Sequence, residues 1–371
     1  MIMNELAVLS VDVVIPVYNA PELTRRCIDS VVRHLGQSIG AIYIQDDTSA
    51  IETRTMLDSL HHEKIHVHHA DRNQGFGKSV NDAVARSKAD LVLVLNSDTE
   101  IDGNFLPLLC AAFDADPQLA VISPVPDKSA SYGHYLRHPG GYIVTYRFQG
   151  YAFLIRRDIF LAMGGFDLVY GRGYFEDTDL GRRLDQQGWR IGVQPDACIH
   201  HESGGSFGRG QSYRLLAERN RTLYLSRYPD ARRNVLLVLN QPVTSDLPDE
   251  LADAIEQVLR QGGGVHWLTP SPLPQLSCLQ MRNSPASIKT IAQLIVRGWS
   301  REDKRISEVW LLPGVSGILR TVLVLLIQLR KLEVKYWEDK VSRSDDLLSI
   351  SRKNSAVGPI LQEETTKQNL E

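Results

Sequence analysis

Residues 91–95, Leu91-Val92-Leu93-Val94-Leu95, are continuously apolar and run straight into Asn96-Ser97-Asp98-Thr99-Glu100. Such a run is too short for a helix and suits a strand buried on both faces. Strands of that kind lie in parallel sheets with helices on either side. Open sheets of this class bind ligands outside the carboxyl ends of their strands. Asp98 is therefore expected at a ligand crevice, where a carboxylate can hold a hard divalent cation and, through it, a phosphate. The same polar residues also suit a turn that caps a helix. Both readings stand on this stretch alone.

The flanking chain alternates strand and helix patterns. Residues 11–17 read as a buried strand ending in Ile15-Pro16-Val17-Tyr18-Asn19. Pro21 then opens a helix, with Asn19 or Ala20 near its cap and Leu23, Cys27, Ile28, Val31, Val32 and Leu35 on its apolar face. A second strand at 41–44 leads into Asp46-Asp47-Thr48-Ser49, where Ser49 suits the cap of a helix over 50–61. A strand at 65–69, a loop at 72–78 and a helix over 79–87 complete the approach to residue 91. Asp102 suits the cap of a helix reaching about residue 115, before a strand at 119–123. This alternation predicts a mainly parallel sheet covered on both faces. Asp46, Asn73 and Asp98 fall at its strand ends and so on one rim.

Residues 124–150 are rich in Pro, Gly, Ser, His and Tyr without a clear period, which marks a functional or mobile loop. A strand at 151–155 and a short helix at 157–163 follow, then the turn Gly164-Gly165-Phe166-Asp167. The segment Phe175-Glu176-Asp177-Thr178-Asp179-Leu180-Gly181-Arg182-Arg183 puts acids at the start of a helix and arginines behind them. That order complements the helix dipole and is compatible with either a charged helix start or a working carboxylate pair. A strand at 190–193 and a short extended run ending in His200-His201 come next. His200 is a candidate metal ligand, since neutral imidazole binds first-row cations. Residues 203–208 suit a flexible loop closing over phosphate, and 211–228 a long helix.

Length brings in a second unit, since 371 residues suggest two domains. After a break at Pro229-Asp230, strands at 234–239, 265–268 and 307–312 alternate with helices at 251–260 and 288–296. The expected organisation is a catalytic domain over 1–230, a small half-Rossmann-like α/β unit over 231–314, a helix over 315–342 and a polar, disordered tail from 343. Gly262-Gly263-Gly264 follows a helix and reads as its stop, not as a phosphate loop. The net charge of −3 gives no electrostatic support for a nucleic-acid partner. Four scattered cysteines without CxxC spacing suit reduced core residues of a cytoplasmic protein. No signal-like pattern or run of transmembrane length is seen. The apolar stretch 321–327, flanked by Arg320 and Arg330, suits a core helix or one lying on a membrane surface.

Taken together, Ile15-Pro16-Val17-Tyr18-Asn19, Asp46-Asp47-Thr48-Ser49, Arg72-Asn73-Gln74-Gly75-Phe76-Gly77, Asn96-Ser97-Asp98, Gly164-Gly165-Phe166-Asp167, Phe175-Glu176-Asp177-Thr178-Asp179-Leu180 and His200 resemble glycosyltransferase family 2. Within it the likeness is to bacterial rhamnosyltransferase-like and galactofuranosyltransferase-like enzymes. It covers residues 11 to about 228. The resemblance implies a GT-A fold and an inverting transferase that uses a nucleotide-diphosphate sugar (UDP-, dTDP- or GDP-linked) with Mg²⁺ or Mn²⁺. It implies that Pro16, Val17, Tyr18 and Asp46 bind base and ribose. Asn73, Gly75, Lys78, Asn96 and Ser97 would line the nucleotide. Asp98 matches the last acid of the family's DxD motif, and Asn96 replaces the first. His200 matches the late metal-ligand histidine, with His201 as the adjacent alternative. Asp177 matches the general base, and Glu176 its acidic neighbour.

The implied acceptor is a saccharide or lipid-linked hydroxyl in bacterial surface polysaccharide or glycolipid synthesis. Residues 124–150 and 203–210 are the expected acceptor and lid segments. Peripheral contact with the inner face of the membrane and a homodimer are the further partner expectations. The competing readings are a nucleotide-sugar-binding scaffold without turnover and a sugar nucleotidyltransferase. The absence of a basic, glycine-rich loop after the first strand weighs against the latter.

Overall fold

The apolar run at 91–95 is a central strand. The computed structural model describes residues 9–126, 132–202, 211–239, 247–270, 275–300, 305–312, 315 and 317–337. Its first half runs β1 (Val11–Val17), α1 (Pro21–Leu35), β2 (Ile42–Asp46), α2 (Ile51–Asp58), β3 (Ile65–His69), α3 (Phe76–Arg86), β4 (Leu91–Leu95), β5 (Thr99–Glu100), α4 (Leu106–Ala115) and β6 (Leu119–Val125). There follow β7 (Ile143–Thr145), β8 (Ala152–Arg156), α5 (Arg157–Ala162), α6 (Glu176–Gln186), β9 (Arg190–Cys198), β10 (His200–His201) and α7 (Gln211–Arg227).

Eight of these strands form one sheet in the order β3-β2-β1-β4-β8-β6-β9-β7. The first four are parallel; β8 and β7 run against their neighbours. This is the mainly parallel α/β arrangement expected. Strand periodicity explains both cores. Val13, Ile15, Leu91, Leu93 and Leu95 pack with α1 and α4 on one face, whereas Val14, Val92 and Val94 pack with α3 and α6 on the other. Every side chain of β4 is buried, each contributing roughly 1.5–3 kcal/mol. A charge at Leu93 would therefore disrupt the sheet.

Helix starts differ in detail from expectation. No side chain caps α1 or α2. The Ser49 hydroxyl instead accepts from the Asn19 backbone N–H at 2.7 Å, and Asn19 Oδ1 accepts from that of Ala50 at 2.8 Å. These bonds tie the two rim loops together. The helix expected from residue 79 begins earlier, at Phe76, and α4 starts beyond Asp102, at Leu106.

The second half contains β11 (Asn234–Val238), α8 (Asp249–Arg260), β12 (Gly264–Thr269), β13 (Met281–Pro285), α9 (Ile288–Ser300), β14 (Glu308–Leu311), α10 (Gly317–Arg330) and β15 (Glu333–Tyr336). These strands form an all-parallel sheet ordered β13-β12-β11-β14-β15. The unit is thus fuller than the half-fold expected, because its order is that of a doubly wound sheet continued past its centre. The helix expected over 315–342 stops at Arg330. Lys331 turns the chain at φ 50°, and β15 pairs with β14, packing Val334 onto the core. The tail from 343 lies outside the described residues.

The expected boundary at residue 230 falls between α7 and β11, within one compact unit spanning Met1–Trp337. Among the described residues no helix joins β12 to β13. Residues 132–147 cover that face instead. The Leu136 N–H donates to Leu276 O at 2.8 Å, the Leu276 N–H to His134 O at 2.9 Å, and Tyr146 packs into the second core. The described part of the 124–150 segment thus packs between the two sheets. The 203–210 segment lies outside the described residues.

Cys27 and Cys278 are buried, Cys110 and Cys198 half-buried, and none is disulfide-bonded. Among the described residues no helix is long and apolar enough to cross a membrane.

Candidate active site

The carboxyl ends of β1, β2 and β4 open onto a cleft. Of the residues expected there, Pro16, Val17, Tyr18, Asn73, Gly75, Asn96 and Ser97 line it. So do Asp47 and Phe76, which stand in the quoted motifs, and Ser79, Arg172 and Tyr213, which carried no signal in the sequence. Asp47 shapes the cleft. Its carboxylate accepts from the Gln74 N–H at 2.6 Å and the Gly75 N–H at 2.8 Å, fixing the loop before α3. Gly75 is required there: its φ is 86°, and a Cβ would come within 2.6 Å of the Gly171 carbonyl oxygen. Ser79 Oγ and Asn96 Oδ1 are buried beside the cleft without a hydrogen-bond partner among the described residues. Such groups are costly unless a ligand satisfies them.

Two expectations shift. Asp46 is the buried last residue of β2 and does not line the cleft. Its carboxylate accepts from the Ser49 N–H at 3.0 Å and meets His69 Nδ1 at 2.8 Å, while His69 Nε2 meets Asp58 at 2.9 Å. Burial works against a charge on His69, but the two carboxylates outweigh it and hold the ring above its usual pKa. Asp46 is thus occupied by the fold, and its neighbour Asp47 faces the cleft. Lys78 is likewise absent from the lining; it pairs with Asp82 one turn along α3.

Asp98 is buried just beyond β4. Strands β10 and β5 pair antiparallel, with His200 opposite Glu100 and His201 opposite Thr99. Successive residues of a strand face opposite sides. His200 is exposed, whereas His201 Nε2 lies 3.3 Å from Asp98 Oδ1. The structure therefore brings His201, and not His200, to Asp98. The His201 ring stacks on Tyr151, with centroids 4.3 Å apart and planes 9° from parallel. Ligand atoms at about 2.0–2.2 Å from one ion sit roughly 3 Å from each other, so this oxygen–nitrogen pair fits a divalent cation. Among the described residues no cluster of three metal-ligating side chains exists.

Glu176 and Asp177 open α6. The loop before it is unusual, with Tyr174 and Phe175 at φ of 71° and 76°. Asn220, fully buried on α7, holds it: Nδ2 donates to the carbonyls of Tyr170 and Gly173 at 2.7 Å and of Tyr174 at 3.1 Å. The half-buried Asp177 accepts from the Thr178 N–H at 2.6 Å and the Gly150 N–H at 3.1 Å. Burial raises its pKa, and these donors together with Arg147 pull it back. Glu176 is buried deeper, and its Oε2 has no hydrogen-bond partner among the described residues. Burial, then the Asp177 charge, push it up to about 8. Like charges this close do not both ionise readily. Asp177, with its donors, is the better placed of the two to carry the charge, and burial favours the protonated form of Glu176.

A dipeptide joins the two centres. The Gly150 N–H donates to Asp177, the Tyr151 carbonyl accepts from the Asn96 N–H at 2.8 Å, and the Tyr151 ring stacks on His201. A Cβ on Gly150 would meet Asp177 Oδ2 at 2.7 Å, so glycine permits the approach.

Residues 12–172 match the family model described as glycosyl transferase family 2. Over this segment the chain is similar to family 2 glycosyltransferases. The match contains the whole cleft apart from Tyr213, together with Asp98, Gly150 and Tyr151. Asp177 and His201 lie past its end, and only the fold brings them to the domain. No curated protein matches the chain. Among solved structures, the chain is similar to a mannosyltransferase, PcManGT, from Pyrobaculum calidifontis in complex with GDP-Man and Mn²⁺. The identity is 16%, covering 59% of this chain and 64% of that one, with a TM-score of 0.46. It is also similar to GalNAc-T7 with UDP, GalNAc and Mn²⁺, at 15% identity over 68% of this chain and 55% of that one, TM-score 0.46. A third is residues 1–349 of S. aureus TarS in complex with UDP-GlcNAc, at 16% over 68% and 71%, TM-score 0.46. The chain thus spans less than two thirds of the first two.

Proposed function

We propose that the protein is an inverting glycosyltransferase that moves a sugar from a nucleotide-diphosphate donor to an acceptor hydroxyl. The observation that carries this reading is the Gly150-Tyr151 link, which sets a charged, half-buried carboxylate beside the Asp98–His201 pair at the nucleotide cleft. The family 2 match over residues 12–172 supports it.

In this reading the base and ribose rest against Pro16, Tyr18 and Asp47, and the buried Ser79 and Asn96 side chains bond the bound nucleotide. Asp98 and His201 would hold Mg²⁺ or Mn²⁺, which when bound offsets negative charge on the leaving diphosphate. Asp177 accepts the proton of the acceptor hydroxyl as that oxygen attacks the anomeric carbon from the face opposite the leaving group. One displacement inverts the centre. The diphosphate leaves without being protonated, so Glu176 need not donate to it. Its neutral state keeps a second negative charge away from Asp177.

The donor base and sugar, a saccharide or lipid-linked acceptor in surface polysaccharide or glycolipid synthesis, and a cytoplasmic location belong to this proposal. Peripheral membrane contact is supported by Ile318, Leu325 and Leu329, exposed at 71, 52 and 82% along α10. These positions fall on one helical stripe.

The test is diphosphate release from a panel of UDP-, dTDP- and GDP-sugars with Mn²⁺ or Mg²⁺, by the wild type and by Asp177→Asn. Metal-dependent release from one donor, lost in the variant, is expected. Donor binding without turnover, with saccharide and lipid acceptors supplied, would leave a sugar-nucleotide-binding protein instead.

A further inference from the structure

A short segment, residues 146–150, runs from the core of the second sheet to Asp177. Tyr146 is buried in that core, which also holds Val235, Leu259 and Trp310. Its N–H donates to Gln280 Oε1 at 3.3 Å, and its hydroxyl donates to Glu256 of α8. Arg147 Nη2 donates to the carbonyl of Gly262, in the turn between α8 and β12. Phe148 packs in the first core with Leu180 and Leu184 of α6. The Gln149 N–H donates to Ser123 Oγ at 3.0 Å, and the Gly150 N–H to Asp177 at 3.1 Å. One end of the segment is thus anchored in the second unit, and the other end bonds the carboxylate.

The body of α6 rests on the same part of the second unit. Arg182 donates to the Arg260 carbonyl at the end of α8, and the Arg260 guanidinium contacts Asp185 at 2.5 Å. That guanidinium also lies 5.4 Å from the centroid of the Tyr146 ring. The turn that follows α8 is closely fitted. Gly262 has a φ of 83°, and a Cβ on it would meet Tyr224 Oη at 3.2 Å and Arg147 Nη2 at 3.7 Å.

Two charged groups act on Asp177. Glu176, its neighbour on α6, opposes its ionisation, and Arg147 favours it. The Thr178 N–H and hydroxyl and the Gly150 N–H are neutral donors. Arg147 is exposed, and a mobile guanidinium in water would be well screened. The bond to the Gly262 carbonyl holds it in one place, so its charge acts from a fixed position. The family match ends at residue 172, before the second sheet, and does not account for this tether.

We infer that the second α/β unit positions the general base, with Arg147, tethered to the Gly262 turn, as the positioning residue. The inference rests on the transferase reading for the role of Asp177 as base. It gives the second unit a part in the reaction without a ligand site of its own.

The experiment follows the Asp177 carboxyl by carbon NMR of the full chain with labelled aspartate, its signal assigned by loss in Asp177→Asn. A Glu176→Gln background leaves one carboxyl of the pair to titrate. Asp177 should titrate about half a unit or more higher in R147Q, and R147K should recover part of that shift. G262A keeps the arginine and disturbs the turn, so it should move the titration in the same direction. The same spectra show that each variant is folded. An unchanged titration in R147Q would overturn the inference. A shift in R147Q with none in G262A would also overturn it, because the second unit would then hold nothing that matters to Asp177. In the wild-type background the acid limb of the transfer rate should move with R147Q while donor KM stays within about twofold, since Arg147 does not line the nucleotide cleft. The titration needs no substrate. A wild type that transfers no sugar would sink the transferase reading, and the tether would still be decided by the titration.

Discussion

His201 Nε2 lies 3.3 Å from Asp98 Oδ1, while the adjacent His200 is exposed. The two histidines should therefore part company on substitution. His201→Ala is expected to weaken Mn²⁺ binding in the presence of nucleotide by about 10- to 100-fold, the range seen when support for a metal site is lost. His200→Ala should stay within about twofold of the wild type. Titration calorimetry of both variants checks this, and a reversed order would restore His200 as the ligand.

Neighbouring residues of opposite use also explain where sequence reading stopped. Both faces of β4 were legible, because a five-residue apolar run permits little else. Most of the cleft was legible too, since Pro16, Asn73, Gly75 and Asn96 sit at strand ends. The choice between Asp46 and Asp47, and between His200 and His201, was not. Each turns on which residue of an adjacent pair faces inward, and that depends on where a strand ends and what it pairs with. The role of residues 132–147 was hidden for another reason. Their partners, such as Leu276, lie more than a hundred positions away and only the fold brings them together.

The Asp46 and Asp47 assignments predict different failures. Asp47→Ala frees the Gln74 and Gly75 N–H groups and removes a cleft wall, so donor affinity should fall by about tenfold or more. Asp46→Ala leaves His69 without its buried partner and should lower stability by roughly 1–3 kcal/mol. Urea unfolding and nucleotide binding, measured side by side, distinguish the two. Equal loss of binding at unchanged stability in both would return Asp46 to the cleft.

Asp177→Asn keeps the size of the side chain and removes the proton acceptor. Transfer to the acceptor should drop by about 10²- to 10⁴-fold, with donor affinity within a fewfold of the wild type. Glu176→Gln should cost far less, since burial already favours the protonated form of the native side chain. Comparable losses in kcat for the two variants would mean that Glu176 takes part in the chemistry.

Glu176 also gives the protein a pH signature. Its ordinary value of 4.5 is raised to about 8 in the fold. Between those values the native state holds a proton that the unfolded chain has released, so this group's contribution to stability falls as pH rises. The contribution is fully present below about 4.5 and is lost as pH passes through about 8. Glu176→Gln removes that slope. Relative to the wild type, the variant should gain on the order of 1–3 kcal/mol between pH 5 and pH 8.5. Thermal melts across that range measure it, and parallel curves for the two proteins would contradict a protonated Glu176.

Asn220 offers a test of how the base is positioned. It touches neither cleft nor carboxylate, yet its amide donates to three carbonyls of the loop that turns Tyr174 and Phe175 into left-handed backbone. Non-glycine residues adopt that conformation only when surrounding contacts over-determine it. Asn220→Ala leaves those carbonyls without their buried donor, at a cost of about 1–3 kcal/mol. The loop should then relax, and Asp177 should lose its alignment with the Gly150 N–H. Transfer rate is expected to fall by about tenfold or more at temperatures where the variant is still folded, with nucleotide affinity nearly unchanged, because the cleft is built chiefly on other elements. Loss of stability with an unchanged rate would show instead that the loop holds its shape without Asn220. The strain would then be borne by the packing of Phe175 on Tyr224, whose ring centroids are 5.5 Å apart.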